Sequence, residues 1–450
     1  MQNQKIIINK FGGGILKKEL IPFMEKRIKE QLKGGYSPVV VVSALPGVTD
    51  EFLVISNNFK ENKNYKTLLN KLKEKHTQTL IDINLSQENR IKATALLIQT
   101  FNELEKYLDK LSSSKQDIAE NWNKTEDAII AFGEKLSANL FSVYLGNLGI
   151  SSVVLFAEEL GILTDDNFKN ANIIYAQSEK NIKKRLKDLN IVPVIPGFTG
   201  ITKNGDTTTL GRGGTDTTAC FIGAAIRADK VVLWKDVDGV MSANPKIVKT
   251  AKTVPFVSYQ EAEEAGKIIH DKAIQYVKMH ETPIEIVSLS DPKQKTIVGK
   301  AKKLKHGTKI VSYKKDLVLF TISDESKKEN GLLAISSNAF FKHKVDIILI
   351  SNTQYSIQIV ADNANGKADE VYEEINKKVK EVEMHPVSMV YLVGNFDVYD
   401  VNEFNAMLIK MKVDLEISAF LYKNCTRLEA IIKEQNTDKI INALHKKFIK

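Results

Sequence analysis

From Lys5 to about Pro292, short apolar runs alternate with longer segments of helical period. That pattern predicts strands joined by crossover helices in a mostly parallel sheet. Ile6 to Ile8 reads as a strand, Phe11 to Gly14 as a loop, Leu20 to Leu32 as a helix, and Pro38 to Val42 as the next buried strand. A mainly helical stretch from about Tyr65 to Leu145 follows, closed by Gly146 and Gly149. Ser152 to Phe156, Val192 to Ile195 and Val231 to Trp234 add further strands, each ending where Gly, Asp or Ser residues cluster. Ligands of open α/β sheets bind beyond the carboxyl ends of the strands, so the loops after Ile8, Val42, Ile195 and Trp234 are expected to border one cleft.

Beyond a Lys-rich connection, Lys300 to Lys309, the pattern changes and then repeats. In the first copy, Leu317 to Ser323 reads as a strand, Gly331 to Lys344 as a helix, Asp346 to Ser351 and Ser356 to Val360 as strands, and Ala368 to Val379 as a helix. Val390 to Val393, Asn402 to Met411, Leu415 to Tyr422, Arg427 to Lys433 and Asp438 to Phe448 retrace that order. A duplicated βαββα unit predicts a helix layer on a four-stranded sheet; a single α+β domain is the other reading.

Composition narrows the class. The 450 residues hold only Cys220 and Cys425, too few for a disulfide framework and without metal-ligand spacing to the histidines. A reducing compartment fits. The N-terminus lacks a charged, apolar, then small-residue signal pattern, so a cytoplasmic protein is expected, and no apolar run is long enough to span a membrane. The net charge of +9 comes from lysines spread through helical segments rather than gathered with aromatics in one stripe, which argues against nucleic acid as a partner.

Several strings could carry chemistry. Lys10-Phe11-Gly12-Gly13-Gly14 lies between a strand and a helix, where bare backbone N–H groups can approach phosphate oxygens, or it is a packing turn. Thr207 to Thr218 places Arg212 and Asp216 among glycines just before the apolar helix Ala219 to Ile226. Thr215 and Asp216 suit a helix start, and Arg212 has the fork geometry for a carboxylate or phosphate. Trp234-Lys235-Asp236-Val237-Asp238-Gly239 is either a nucleotide-contacting turn or a plain Asp-Gly turn. Glu134, within Gly133 to Ala138, is a site residue or one of a solvated helix face; Ser43 and Thr49 bind substrate or cap a helix.

Taken together and in this order, these strings resemble aspartate kinase, of the amino-acid kinase family with C-terminal ACT domains. The carrying residues are Lys10 to Gly13, Val41 to Thr49, Gly133 to Ala138, Gly197 to Gly200, Thr207 to Ala219 and Asp236 to Lys246, with Leu163 to Phe168 as a further family-like segment. The likeness covers nearly the whole chain, and GRGG[ST]DTTA with DVDG is highly specific. It implies an amino-acid-kinase-like, mostly parallel sheet with helices on both faces over residues 1–300, then ACT-like domains over 310–384 and 385–450.

The resemblance further implies phosphorylation of the L-aspartate side-chain carboxylate by ATP, to 4-phospho-L-aspartate, at the entry to lysine, threonine and methionine synthesis. Mg2+ would be held mainly by the nucleotide phosphates. By motif position, Lys10 and Asp216 would be catalytic; Ser43, Thr49, Glu134, Phe198, Arg212 and Thr215 would bind aspartate; Lys10, Gly12, Gly13, Lys235, Asp236, Met241, Lys246 and Lys267 would face the nucleotide. An amino-acid effector, lysine or threonine, would meet Gly331, Asp346, Asn352, Thr353 and Gln354, and ACT sheets would pair two subunits into a homodimer. The chain departs from the pattern at Gly14, Met241, Asn244-Pro245-Lys246, Asp271 and Gln354, where Thr/Ser/Ala, Tyr, Asp-Pro-Arg, Pro and Glu are usual. A non-catalytic amino-acid sensor on a decayed kinase domain and another amino-acid kinase are the alternatives.

Overall fold

A computed structural model describes residues 5–16, 19–113, 121–187, 190–235, 237–266, 269–303, 305–327, 329–417, 426–433 and 437–449. The chain forms two compact units, Met1–Val240 with Thr253–Lys302, and Met241–Lys252 with Lys303–Lys450.

The first unit is built on β1 (Lys5–Phe11), β2 (Tyr36–Val42), β3 (Ser152–Val154), β4 (Val192–Pro196), a small β5 (Thr199–Ile201) and β6 (Thr207–Thr209) hairpin, β7 (Lys230–Lys235), β8 (Phe256–Ser258), β9 (Ile284–Ser288) and β10 (Lys295–Gly299). The eight-stranded sheet runs β3-β4-β2-β1-β7-β9-β10-β8, with every neighbouring pair parallel except β9 and β10. Its central strands are near-continuous Ile and Val, as burial on both faces requires. Connecting helices are α1 (Ile21–Lys33), α2 (Val48–Lys60), α3 (Lys66–Asp82), α4 (Gln87–Ser112), α5 (Trp122–Ile130), α6 (Phe132–Asn147), α7 (Ala157–Leu160), α8 (Tyr175–Leu186), α9 (Gly214–Ala225), α10 (Tyr259–Ala265) and α11 (Asp271–Met279).

Phe11 closes β1 by stacking against Phe141 at 5.6 Å and Trp234 at 6.1 Å. Fully burying such a ring contributes about 1.5–3 kcal/mol. Beneath it, the side-chain Oδ1 of the buried Asn9 accepts from the Trp234 indole at 2.9 Å and the Gln31 side-chain amide at 2.8 Å, so three elements share one satisfied polar bridge.

The second unit contains β11 (Gly307–Ser323), α12 (Glu329–His343), β12 (Ile347–Asn352), β13 (Ser356–Asp362), α13 (Ala368–Asn376), β14 (Glu381–Asn395), α14 (Val398–Lys410), β15 (Leu415–Ile417), β16 (Arg427–Lys433) and α15 (Thr437–Phe448). The repeated order of elements is present, but the strands form one antiparallel six-stranded sheet, β12-β13-β11-β14-β16-β15, in place of a four-stranded one. The reason is β11. Its register against β14 shifts between Lys314 and Leu317, beside Asp316 at φ +58°, so one long strand serves both modules. Val318, Phe320 and Ile322 enter the core beneath α12 and α13, whereas Val311 enters the core beneath α14 and α15.

Residues 241–252 pack in this second core. Ala243 and Val248 are buried with Phe404, Leu428 and Leu444, the Val311 N–H donates to the Ser242 carbonyl at 2.8 Å, and Ser242 Oγ lies 2.9 Å from His445 Nε2. Of the predicted strand Leu415 to Tyr422, residues 418–422 fall outside the described residues. Among the described residues, no helix is long and apolar enough to cross a membrane.

Candidate active site

The carboxyl ends of β1, β2 and β4 open onto a cleft of about 550 Å³, lined by Lys10, Ser43, Thr49, Glu134, Phe198, Arg212, Thr215 and Asp216 among others. That is the place an open α/β sheet offers, and β1 sits between β2 and β7, where connections diverge. A second cavity of about 410 Å³ opens at the amino ends of the same strands, lined by Ile6, Pro38, Val39, Ile150 and Val192, with no charged side chain among the described residues.

Lys10 reaches the cleft because it lies one residue before the end of β1. Its Nζ is 2.9 Å from Asp216 Oδ1, and Lys235 Nζ, at the end of β7, is 3.3 Å from Asp216 Oδ2. Asp216 sits in the first turn of α9, where a carboxylate complements the free N–H groups. Burial works to raise its pKa, and the ammonium groups of Lys10 and Lys235 overcome that effect and hold the carboxyl below its usual range. Gly13 is required by close approach: a Cβ there would stand 1.8 Å from the Ala44 carbonyl oxygen, so only glycine lets the turn after β1 settle on the loop after β2.

Glu134 occupies the first turn of α6 and is 2% exposed. Burial pushes its carboxyl up to about 8, against the pull of the Ala44 and Glu134 N–H groups and of the Lys10 ammonium. Its Oε2 is buried without a hydrogen-bond partner among the described residues. A carboxylate in that state is incomplete until a cation meets it. Across the cleft, Arg212 is exposed and makes no ion pair among the described residues. The cleft therefore offers a buried acid oxygen and a guanidinium, neither paired among the described residues, and, beside them, a lysine held by a carboxylate.

The sequence-predicted residues divide accordingly. Lys10, Ser43, Thr49, Glu134, Phe198, Arg212, Thr215 and Asp216 come together, with Lys235 bound to Asp216 and Gly12 and Gly13 in the turn below. Asp236 and Lys267 lie outside the described residues. Met241 and Lys246 belong to the stretch that clusters with the second unit. In that unit, Gly331 lies in the first turn of α12, at the same end as the β12–β13 turn with Asn352, Thr353 and Gln354; the Asp324 N–H donates to the Tyr355 carbonyl there at 3.2 Å. Asp346 precedes β12 and stands at the opposite end, separated by a strand of about 17–20 Å. Glu126, Asp127, Lys169 and Thr209 also line the cleft and were missed, since their partners lie 42 to 82 residues away along the chain.

The profile of the amino acid kinase family matches residues 5–288. Aspartokinase 1, chloroplastic, of Arabidopsis thaliana is 28% identical, over 92% of this chain and 75% of its own length. Aspartokinase of Bacillus sp. (strain MGA3) is 26% identical, over 98% of this chain and 97% of its own. The crystal structure of E. coli aspartokinase III in complex with aspartate and ADP superposes with a TM-score of 0.78 at 20% identity, covering 99% of this chain and all of that one, and so shares the fold. With a family profile spanning seven of the eight strands of the first sheet and curated aspartokinases aligned through both units, this chain belongs to the amino acid kinase family.

Proposed function

We propose that the protein is an aspartate kinase, transferring the γ-phosphoryl group of ATP to the side-chain carboxylate of L-aspartate. The observation that carries this reading is the buried Oε2 of Glu134 in the same cleft as the Arg212 guanidinium, neither of them paired among the described residues. An α-amino acid supplies what both need, its ammonium to Glu134 and its α-carboxylate to Arg212. The choice of aspartate is supported by the names of the curated relatives.

The acceptor is an anion at neutral pH, so no general base is required and catalysis becomes positioning plus neutralisation of phosphoryl charge. A side-chain oxygen of the substrate forms the new P–O bond as the bond from the γ-phosphorus to the β–γ bridging oxygen breaks. The electron pair leaves on ADP, and the product is the acyl phosphate 4-phospho-L-aspartate. Lys10 meets the charge of the transferring group, and Asp216 orients Lys10. Gly12, Gly13 and Lys235 face the nucleotide. Asp216 is engaged by two ammonium groups, so Mg2+ arrives on the ATP phosphates rather than on a protein cage.

An amino-acid effector, lysine or threonine, is assigned to the end of the second unit that holds Gly331, Asn352, Thr353 and Gln354. The uncovered edge strand β12 supports pairing of two copies through this unit.

ATP- and Mg-dependent acyl phosphate, trapped with hydroxylamine, tests the reading with aspartate set against glutamate and acetylglutamate. Aspartate-specific product is expected. Product with another acceptor, or none with any, sinks it.

A further inference from the structure

Arg212 has no ionic partner of its own among the described residues, so its position depends on how residues 210–213 are seated. Asp127, on α5, is fully buried. Its Oδ2 accepts the backbone N–H groups of Lys169 and Thr209, both at 2.8 Å, and its Oδ1 accepts the Thr209 hydroxyl at 2.8 Å. Thr209 ends β6, three residues before Arg212. Lys169 has a φ of +71°, a conformation a non-glycine residue holds only where its surroundings impose it. The adjacent carboxylate, Glu126, pairs with the Lys169 ammonium at 2.6 Å while accepting the Trp122 indole at 2.9 Å. Backbone and side chain of Lys169 are thus held by consecutive residues of one helix.

The seat is completed from two further sides. The Ala171 N–H donates to the Thr209 carbonyl at 2.9 Å. Lys272, on α11, donates to the Asn170 side chain at 2.6 Å and to the Asn170 and Ala171 carbonyls at 3.0 and 3.3 Å. Gly211 rests on this platform: its φ is +76°, and a Cβ would lie 2.7 Å from Asn170 Oδ1 and 3.2 Å from the Lys169 carbonyl. Burial pushes the Asp127 carboxyl up to about 6, against the pull of its three donors. A carboxyl kept where burial penalises it is held for its acceptor geometry.

We propose that Asp127 is a positioning residue for substrate binding. By fixing Lys169 and Thr209 it seats residues 210–213, and through them the Arg212 guanidinium that takes the substrate's α-carboxylate. The inference rests on the role given to Arg212 above.

Steady-state kinetics on Asp127→Ala, Asp127→Asn and Lys272→Met test it. Asp127→Ala should raise the aspartate KM by about tenfold or more, with the ATP KM unchanged within about twofold. Asparagine keeps a carbonyl for the two N–H groups and turns its amide toward the Thr209 hydroxyl, which can accept, so Asp127→Asn should restore most of the affinity. Lys272→Met, outside the cleft lining, should raise the aspartate KM by roughly threefold. If Asp127→Ala does not fold, the asparagine and Lys272 variants decide. An aspartate KM unmoved in the folded alanine and Lys272 variants, or aspartate and ATP KM values rising together, overturns the inference. Wild-type protein without aspartate kinase activity overturns the functional reading instead.

Discussion

Lys10 Nζ stands 2.9 Å from Asp216 Oδ1, joining the end of β1 to the first turn of α9 across more than two hundred residues of chain. The carboxylate holds the ammonium at the mouth of the cleft, where a transferring phosphoryl group would gather charge. Lys10→Ala should lower kcat by roughly a hundred- to a thousandfold while leaving the aspartate KM within a few-fold. Asp216→Asn should lower kcat as well, since Lys10 loses its fixed partner. Single-turnover measurements with saturating substrates would check both, and an unchanged chemical step in Lys10→Ala would remove the lysine from the reaction.

Arg212 should behave differently. A charge-assisted contact to the α-carboxylate is worth about 1.5–3 kcal/mol, so Arg212→Ala should raise the aspartate KM about ten- to a hundredfold with a smaller change in kcat. Lysine at this position should recover only part of the loss, because a point charge cannot reproduce the two parallel bonds of the fork. Kinetics with aspartate varied at fixed ATP distinguish these outcomes.

Glu134 predicts a pH dependence. Burial pushes its carboxyl up to about 8, so below that pH the free enzyme holds a proton that must leave before an ammonium can bind. kcat/KM for aspartate should rise about tenfold per pH unit below 8 and level off above it. Glu134→Gln should abolish this limb. The same shift affects stability: the folded carboxyl binds its proton more tightly than the unfolded one, whose pKa is near 4.5. That contribution is full below the unfolded pKa and is lost as pH rises through about 8. Without substrate, Glu134→Gln should therefore melt above the wild type at about pH 9, and calorimetry would show it.

His445 carries the opposite sign. It is buried, and burial first and the Lys252 ammonium second hold its pKa below the ordinary histidine value of 6.5. The neutral ring favours the fold, so its contribution is present above the unfolded pKa and is lost as pH falls through and below it. The stability of the second unit against heat should fall on acidification from about pH 7.5 to 5.5, and His445→Gln should flatten that slope.

The catalytic half was legible because its signals are local. Apolar runs ended by clusters of Gly, Asp or Ser marked β1, β2, β4 and β7 to within a few residues, and the glycines around Arg212 and Asp216 announced a loop feeding a helix. The Asp127 role was not legible, since one acid on an amphipathic helix looks solvated until distant segments arrive to donate to it. In the second unit, α14 begins at Val398 rather than Asn402, because Asp397 caps it by accepting from the Tyr399 and Asp400 N–H groups; the exposed Val398 and Tyr399 hide that start in the hydrophobic pattern. The single six-stranded sheet escaped for another reason. Its registers are set by β11 and β14 pairing along almost their whole length, a choice made between strands about seventy residues apart.

The interleaving of residues 241–252 with the second core governs how the protein can be dissected. A cut between Lys302 and Lys303 leaves a C-terminal fragment without the side chains of Ala243 and Val248, without the acceptor for the Val311 N–H and without the Ser242 partner of His445. The N-terminal fragment keeps a strap whose apolar residues have lost their cover. Neither half is a detachable module, and the boundary that would separate them cleanly runs through three points of the chain rather than one.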